Sequence, residues 1–313
     1  RGVCSFKTYF AYDHLRLDDA ETLELLEALK PLGGTLCVHC ENGTLVDALQ
    51  QRVYDAGIHG PEGHPLSRPA ECEAEAISRL LYLAHLAEDA RVNVVHLSTK
   101  LGLEAIRAAK ARGQKNIFVE TCPQYLLLDD TCFLKDGQDG LEGLEFVMSP
   151  PPRKPADRAA LREALVNGEI DTIATDHCSF NIHGQKDRGI DDFRKVPNGG
   201  AGVEHRPALI ATTFADQLGP EDLCRLMSEN PAKVFGMWPA KGRLAEGADA
   251  DICVWDPSVS WTISVATQHQ NVDHTPYEGF ECQGRSRFTF VNGVLAAREG
   301  EPTGELPGRY VSR

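Results

Sequence analysis

The sequence predicts an α/β fold, a parallel sheet with helices outside it, and three observations carry the prediction. Short strand-like runs alternate with stretches whose apolar residues recur at helical spacing. The strand-like runs are apolar nearly throughout, as in sheets covered on both faces. The composition is that of an ordinary folded chain: 313 residues, 42% hydrophobic and 25% charged, long enough for one large domain and a smaller one.

Taken in order, "VCSFKTYF" (3–10) reads as a strand. "DAETLELLEALKP" (19–31) has helical spacing, with Asp18 or Asp19 placed to cap it. "GGTLCVHCENG" (33–43) is a strand with a polar end, 70–88 a long helix, "RVNVVHLSTK" (91–100) a strand and 101–112 a helix. "KNIFVETCPQYL" (115–126) is again a strand, and "LEFVMSPPPR" (144–153) a short strand broken by prolines. Residues 156–166 read as helix, "EIDTIATDHCSFN" (169–181) as a strand with a polar end, and 202–217 and 220–235 as helical. About five strand–helix units result, too few to close an eight-unit barrel. Either the sheet is open or about three units precede Arg1. The chain begins with Arg and reaches a core-like strand at once, which favours the second reading and places any targeting peptide upstream as well. From about Gly242 the texture changes to short strands and Asn-Gly hairpin signals, a small β portion. The tail 302–313 reads as an extended arm.

The net charge of −14 and the lack of a basic patch argue against nucleic-acid or anionic-membrane binding. No apolar run approaches the roughly 18–20 residues that span a bilayer. Ten cysteines are scattered, several in apolar runs (Cys37, Cys122, Cys253), and read as reduced buried thiols of a cytoplasmic protein. Cys37 and Cys40 form a lone CxxC, a weak signal.

The chemistry collects at strand ends. His39 ends "TLCVH", His96 ends "VNVVH", Asp176 ends "IDTIATD", and Lys7 lies near the end of the first strand. Any one of these alone is more often a packed or capping residue, and a lysine can snorkel to solvent. Four together, on four strands whose C-terminal ends share one mouth, read as a metal site. The lysine fits such a site once burial makes it a neutral amine. A neutral amine adds carbon dioxide to give a carbamate, which bridges two cations as a carboxylate would. His59, His64, His85, His269 and His274 are expected at the surface, and His177 and His183 in the loop behind Asp176.

The stretches "SFKTYFAY", "VHCENG", "SRPAECEAEA", "VVHLS", "ETCPQYLLLD", "MSPPPR", "TDHCSFN", "DDFRKVPNGG" and "GRLAEGADADICVWDP" resemble the cyclic amidohydrolases, within them the dihydropyrimidinase and D-hydantoinase family, from Arg1 to Arg313. The resemblance implies a TIM-like (β/α)8 barrel, incomplete at its N-terminal side, over 1–238, a small C-terminal β-sandwich portion over 239–301, and the arm 302–313. It implies two divalent metal ions, zinc by preference, bridged by N6-carboxylated Lys7. His39 and His96 resemble ligands of the second metal, and Asp176 the aspartate that binds the first metal and moves the proton. Tyr12 resembles the tyrosine that polarises the substrate carbonyl. Ser149 and Asn198 resemble residues whose backbone groups hold the ring. The family's His-x-His pair is absent from this sequence, so the stretch alone is expected to be inactive.

The implied activity is metal-dependent hydrolysis of the cyclic amide bond of hydantoins or dihydropyrimidines to N-carbamoyl amino acids, on a small cyclic ureide or imide substrate, by a homotetramer. The alternatives are a non-catalytic scaffolding relative, which would have lost ligands, and relatives acting on allantoin or dihydroorotate, against which the Lys-x4-Tyr spacing argues. A redox module on Cys37 and Cys40 would need an exposed low-pKa thiol.

Overall fold

The computed structural model describes residues 2–134 and 141–311. Arg1 and the last two residues of the expected arm lie outside them. The chain separates into two compact units. The larger holds Ser5–Val203 together with His269–Pro276; the smaller gathers the first residues, Glu204–Gln268 and the chain from Tyr277 onwards.

The larger unit is built on five parallel strands in the order β1 (Ser5–Tyr9), β2 (Thr35–His39), β3 (Val92–Val94), β4 (Ile117–Thr121) and β5 (Thr172–Ile173). Its helices are α1 (Asp19–Leu29), α2 (Gly43–Asp55), the short α3 (Gly63–Leu66), α4 (Ala70–Leu86), α5 (Lys100–Ala111), the short α6 (Pro123–Leu127) and α7 (Pro155–Val166). Every residue of β2 and β3 is buried, as their unbroken apolar character predicts. β1 differs from the core strand expected of it. It is an edge of the sheet, and Phe6 is 42% exposed.

Local chemistry explains the helices. Asp18 caps α1 in a capping box with Glu21: its side chain accepts from Glu21 N at 2.8 Å while Glu21 accepts from Asp18 N at 2.9 Å. α4 buries Ala76, Ile77, Leu80, Leu81 and Ala84, one helical face, and packs on α5. Fully burying each of the larger apolar side chains contributes about 1.5–3 kcal/mol. Thr99 caps α5 through Gly102 N, and Gly102 is required there because a Cβ would lie 2.8 Å from Ile77.

Two expectations fail. Helix α2 follows a stretch expected only as the polar end of a strand. Asn42 instead has φ −71° and caps the helix by accepting from Leu45 N. Residues 144–153 are not a strand: Glu142–Phe146 form a 3-10 helix, and the prolines that follow have no N–H to give a ladder.

The smaller unit contains α8 (Arg206–Thr213), α9 (Pro220–Cys224), a π-helical turn at Arg225–Glu229, α10 (Asn230–Val234) and an antiparallel sheet β6 (Ile252–Thr262), β7 (Glu281–Val291), β8 (Val294–Arg298) and β9 (Glu301–Pro302). The β7–β8 hairpin turns at Asn292-Gly293, φ 49° and 81°, the mirror-image turn that the Asn-Gly pair predicts. Cys253 is exposed on β6, not buried, although all ten cysteines are free as expected. No helix among the described residues is long and apolar enough to cross a membrane.

Candidate active site

Because the five strands run parallel, their C-terminal ends share one edge of the sheet. Register pairs Lys7 with Cys37 and Tyr9 with His39. His39 is the last residue of β2. β3 ends at Val94 and β5 at Ile173, so His96 and Asp176 sit in the turns just past their strands. Both turns are left-handed, with φ 41° at His96 and 49° at Asp176, and Tyr12 has φ 68°. A non-glycine residue in this region costs roughly 1–2 kcal/mol.

His39 Nδ1 and His96 Nε2 stand 3.0 Å apart, both rings buried. Two nitrogens bound to one zinc at about 2.0–2.1 Å with a tetrahedral angle would be about 3.3 Å apart. Burial holds both imidazoles below their ordinary value, so they present neutral rings. The Lys7 charge adds to this at His96.

Lys7 is an exposed residue of the edge strand β1, not the buried one expected, and its Nζ makes no hydrogen bond or ion pair among the described residues. It lies 5.2 Å from the centre of the Tyr9 ring. Burial lowers its pKa against the opposing pull of Asp176 and Glu120. Burial raises Asp176, with Lys7 and His39 opposing. The donor set is therefore two neutral imidazoles, an amine tuned toward neutrality and a carboxylate, which suits a divalent cation once the amine carries a carboxylate. Among the described residues no three His, Cys, Asp or Glu side chains gather at metal-binding spacing. Two imidazoles do, His39 and His96.

The Tyr12 ring packs on His39 at 5.2 Å and on Tyr9 at 5.8 Å. Burial raises the Tyr12 phenol, Arg68 opposing, so it keeps its proton. Ser149 Oγ and Asn198 Oδ1 are buried without a hydrogen bond of ordinary geometry. A cavity of about 600 Å³ lined by Pro65, Phe133, Leu134, Pro152 and Lys154 contains none of the seven expected site residues.

Two carboxylates escaped the sequence reading. Glu41 accepts from His39 Nε2 at 3.0 Å. Glu120, at the end of β4, takes hydrogen bonds from the Asn93 side chain and the His96 backbone, and burial raises it to about 7. The signal that exposed Lys7, a charge inside an apolar run, was present in "IFVET" too. His64 and His274 are buried, not at the surface. His64 Nε2 meets Met148 O at 2.8 Å, and burial lowers its pKa to about 3. His177 Nδ1 accepts from Gly202 N and Val203 N and so braces that loop. Cys37 and Cys40 are buried, and burial raises the Cys40 thiol, the reverse of a redox-active cysteine.

A model of the amidohydrolase family matches residues 14–296. The chain belongs to the amidohydrolase family. Members of this family in general depend on a dinuclear metal centre. The chain is 40% identical over 315 aligned positions to D-phenylhydantoinase of Escherichia coli, covering all of this chain and 67% of the relative. Among solved amidohydrolases, D-hydantoinase of Bacillus sp. AR9 superposes with TM-score 0.95 at 37% identity. Dihydropyrimidinase of Brevibacillus agri NCHU1002 does so with TM-score 0.95 at 39% identity. Each is matched over all of this chain and 68% of its own. L-Hydantoinase of Arthrobacter aurescens gives 0.89 at 30%, over all of this chain and 69% of its own. The amidohydrolase chain thus spans about two thirds of these relatives, and its parallel sheet and separate antiparallel sheet correspond to part of a TIM-like barrel and a β-sandwich portion.

Proposed function

We propose that this amidohydrolase opens the cyclic amide bond of hydantoins or dihydropyrimidines by hydrolysis, giving N-carbamoyl amino acids. The observation that carries the reading is Lys7: an amine without a hydrogen-bond or ion-pair partner among the described residues, its pKa lowered, on the same sheet as His39 and facing the charge of Asp176. Lys7 in its neutral form takes up carbon dioxide, forming an N–C bond and releasing one proton, and the resulting carbamate with His39, His96 and Asp176 holds two divalent cations, zinc by preference. When bound, the cations acidify water and polarise the ring carbonyl.

The chain's own residues do the rest. Asp176 accepts the proton of the attacking water on its carboxylate and returns it to the leaving ring nitrogen. Its raised pKa suits both transfers. The Tyr12 hydroxyl donates to the carbonyl oxygen as negative charge develops there. Ser149 and Asn198 hold the ring through their backbone groups. In this scheme residues 1–238 supply barrel strands and helices, 239–301 the sandwich portion and 302–313 an arm. The protein acts in the cytoplasm as a homotetramer, with no nucleic-acid or membrane partner.

Ring opening of dihydrouracil and of phenylhydantoin by the full-length protein tests the activity, and turnover of neither overturns it. Lys7→Ala tests the lysine. Bound metal and activity should both fall to near background, and short-chain carboxylic acids should restore part of each. Full metal content with full activity would refute the carbamate.

A further inference from the structure

Around the two histidines lies a buried charged network that the proposed reaction does not use. Glu41 is fully buried. Its Oε2 accepts from His39 Nε2 at 3.0 Å and from Arg68 Nη1 at 2.5 Å, and its Oε1 stands 3.7 Å from Arg153 Nη2. Arg153 also donates through Nε to Ser98 Oγ at 2.9 Å and through Nη1 to Arg68 O. Glu73 of α4 accepts from Ser98 N at 3.0 Å, from Ser98 Oγ at 2.7 Å and from Thr99 Oγ1. Every member is at most 7% exposed. The network pairs two carboxyl groups with two guanidiniums, and burial raises the Glu73 pKa. The network's two ends are the C-terminal end of β2 at His39 and the turn that follows His96.

Glu41 faces two guanidiniums, Arg68 on Oε2 and Arg153 on Oε1, and is paired with them as a carboxylate anion. An ionised carboxylate can only accept. His39 therefore carries its proton on Nε2 and a lone pair on Nδ1, the atom that faces His96 Nε2. Without that acceptor a neutral imidazole can place its proton on either nitrogen, and a proton on Nδ1 would block the facing edge.

We propose that Glu41, held by Arg68 and Arg153, is a positioning residue that fixes the His39 tautomer and turns Nδ1 toward His96. The use of that lone pair for a cation rests on the metal-centre reading above; the tautomer assignment does not. Carboxylate partners of this kind change metal affinity by about 10–100-fold when removed.

Removing Glu41 alone would leave Arg68 and Arg153 buried and uncompensated, which is destabilising enough to confuse the result. The informative variant is Glu41→Met combined with Arg68→Met, since exchange of a buried ion pair for apolar side chains of similar volume is often neutral for stability. The metal-free chain labelled with nitrogen-15 histidine reports the ring protons directly. In the unaltered chain His39 should show a protonated Nε2 and a bare Nδ1. In the double variant a protonated Nδ1 should appear and zinc affinity, titrated with zinc alone, should fall about 10–100-fold. Glu41→Gln combined with Arg68→Met keeps an acceptor and should retain most of the Nε2–H form. A protonated Nδ1 in the unaltered chain, or an unchanged His39 spectrum in a folded Glu41→Met, Arg68→Met variant, overturns the proposal. Correct tautomers in a full-length protein that binds no zinc would instead overturn the metal reading and leave the role of Glu41 standing.

Discussion

Replacing Tyr12 by Phe isolates one hydroxyl. The ring's contacts, with His39 at 5.2 Å and Tyr9 at 5.8 Å between centroids, do not involve the oxygen, so Phe keeps the packing. The fold should hardly notice, and the melting temperature should stay within a degree or two. The lost term is one donor to the developing oxyanion, worth about 3–4 kcal/mol, or about 10²–10³ in kcat. KM should move much less, because the donor acts where charge develops. Burial raises the Tyr12 phenol above its ordinary value of 10.0. The hydroxyl therefore keeps its proton through neutral pH, and the deficit of Tyr12→Phe should be constant between about pH 6 and 9. The assay is ring opening by the full-length protein, followed over that pH range. A variant within threefold of the parent kcat would refute the role, and so would a deficit residing entirely in KM.

Three further perturbations address the scaffold. Lys186 is fully buried, donating to Val147 O and Pro197 O, and burial lowers its pKa from 10.5 to about 7. With its folded pKa below its unfolded one, the native state binds fewer protons between about pH 7 and 10. This residue's contribution to stability therefore falls as pH drops through that window and is constant below it, and Lys186→Met should flatten the corresponding part of a denaturation profile. Gly63→Ala would place a Cβ 2.4 Å from the Phe193 ring, and denaturant unfolding should record a loss of about 1–3 kcal/mol. Asp18→Ala removes the capping box of α1 and should lose about 1 kcal/mol by the same measurement, whereas Asp18→Asn should lose less.

What could be read from the sequence was whatever local periodicity and strand-end position encode. Lys7, His39, His96 and Asp176 stand out as candidates because a strand's C-terminal end is visible in one dimension, and parallel strands bring such ends together without further information. Capping at Asp18 and the turn at Asn292-Gly293 are likewise local. Glu41 was passed over although it lies two residues from His39, because only the fold supplies Arg68 and Arg153, the partners that make a buried carboxylate tolerable. His64 was misplaced for the same reason: its hydrogen bond is to the backbone of Met148. At Asn42-Gly43 the polar end of the strand runs directly into a helix cap. The close approach that makes Gly43 necessary, where a Cβ would meet Ala11 and Phe10 at 2.9 Å, is long-range.

The left-handed backbone at Tyr12, His96 and Asp176 has a consequence for anyone trying to harden this protein. Glycine adopts that conformation freely, so each of the three positions stores strain that a glycine would relieve. A screen selecting only for thermal resistance should therefore drift toward glycine at the residues assigned the chemistry. Robustness and turnover would be traded at three identifiable positions, and a useful screen must select for both at once.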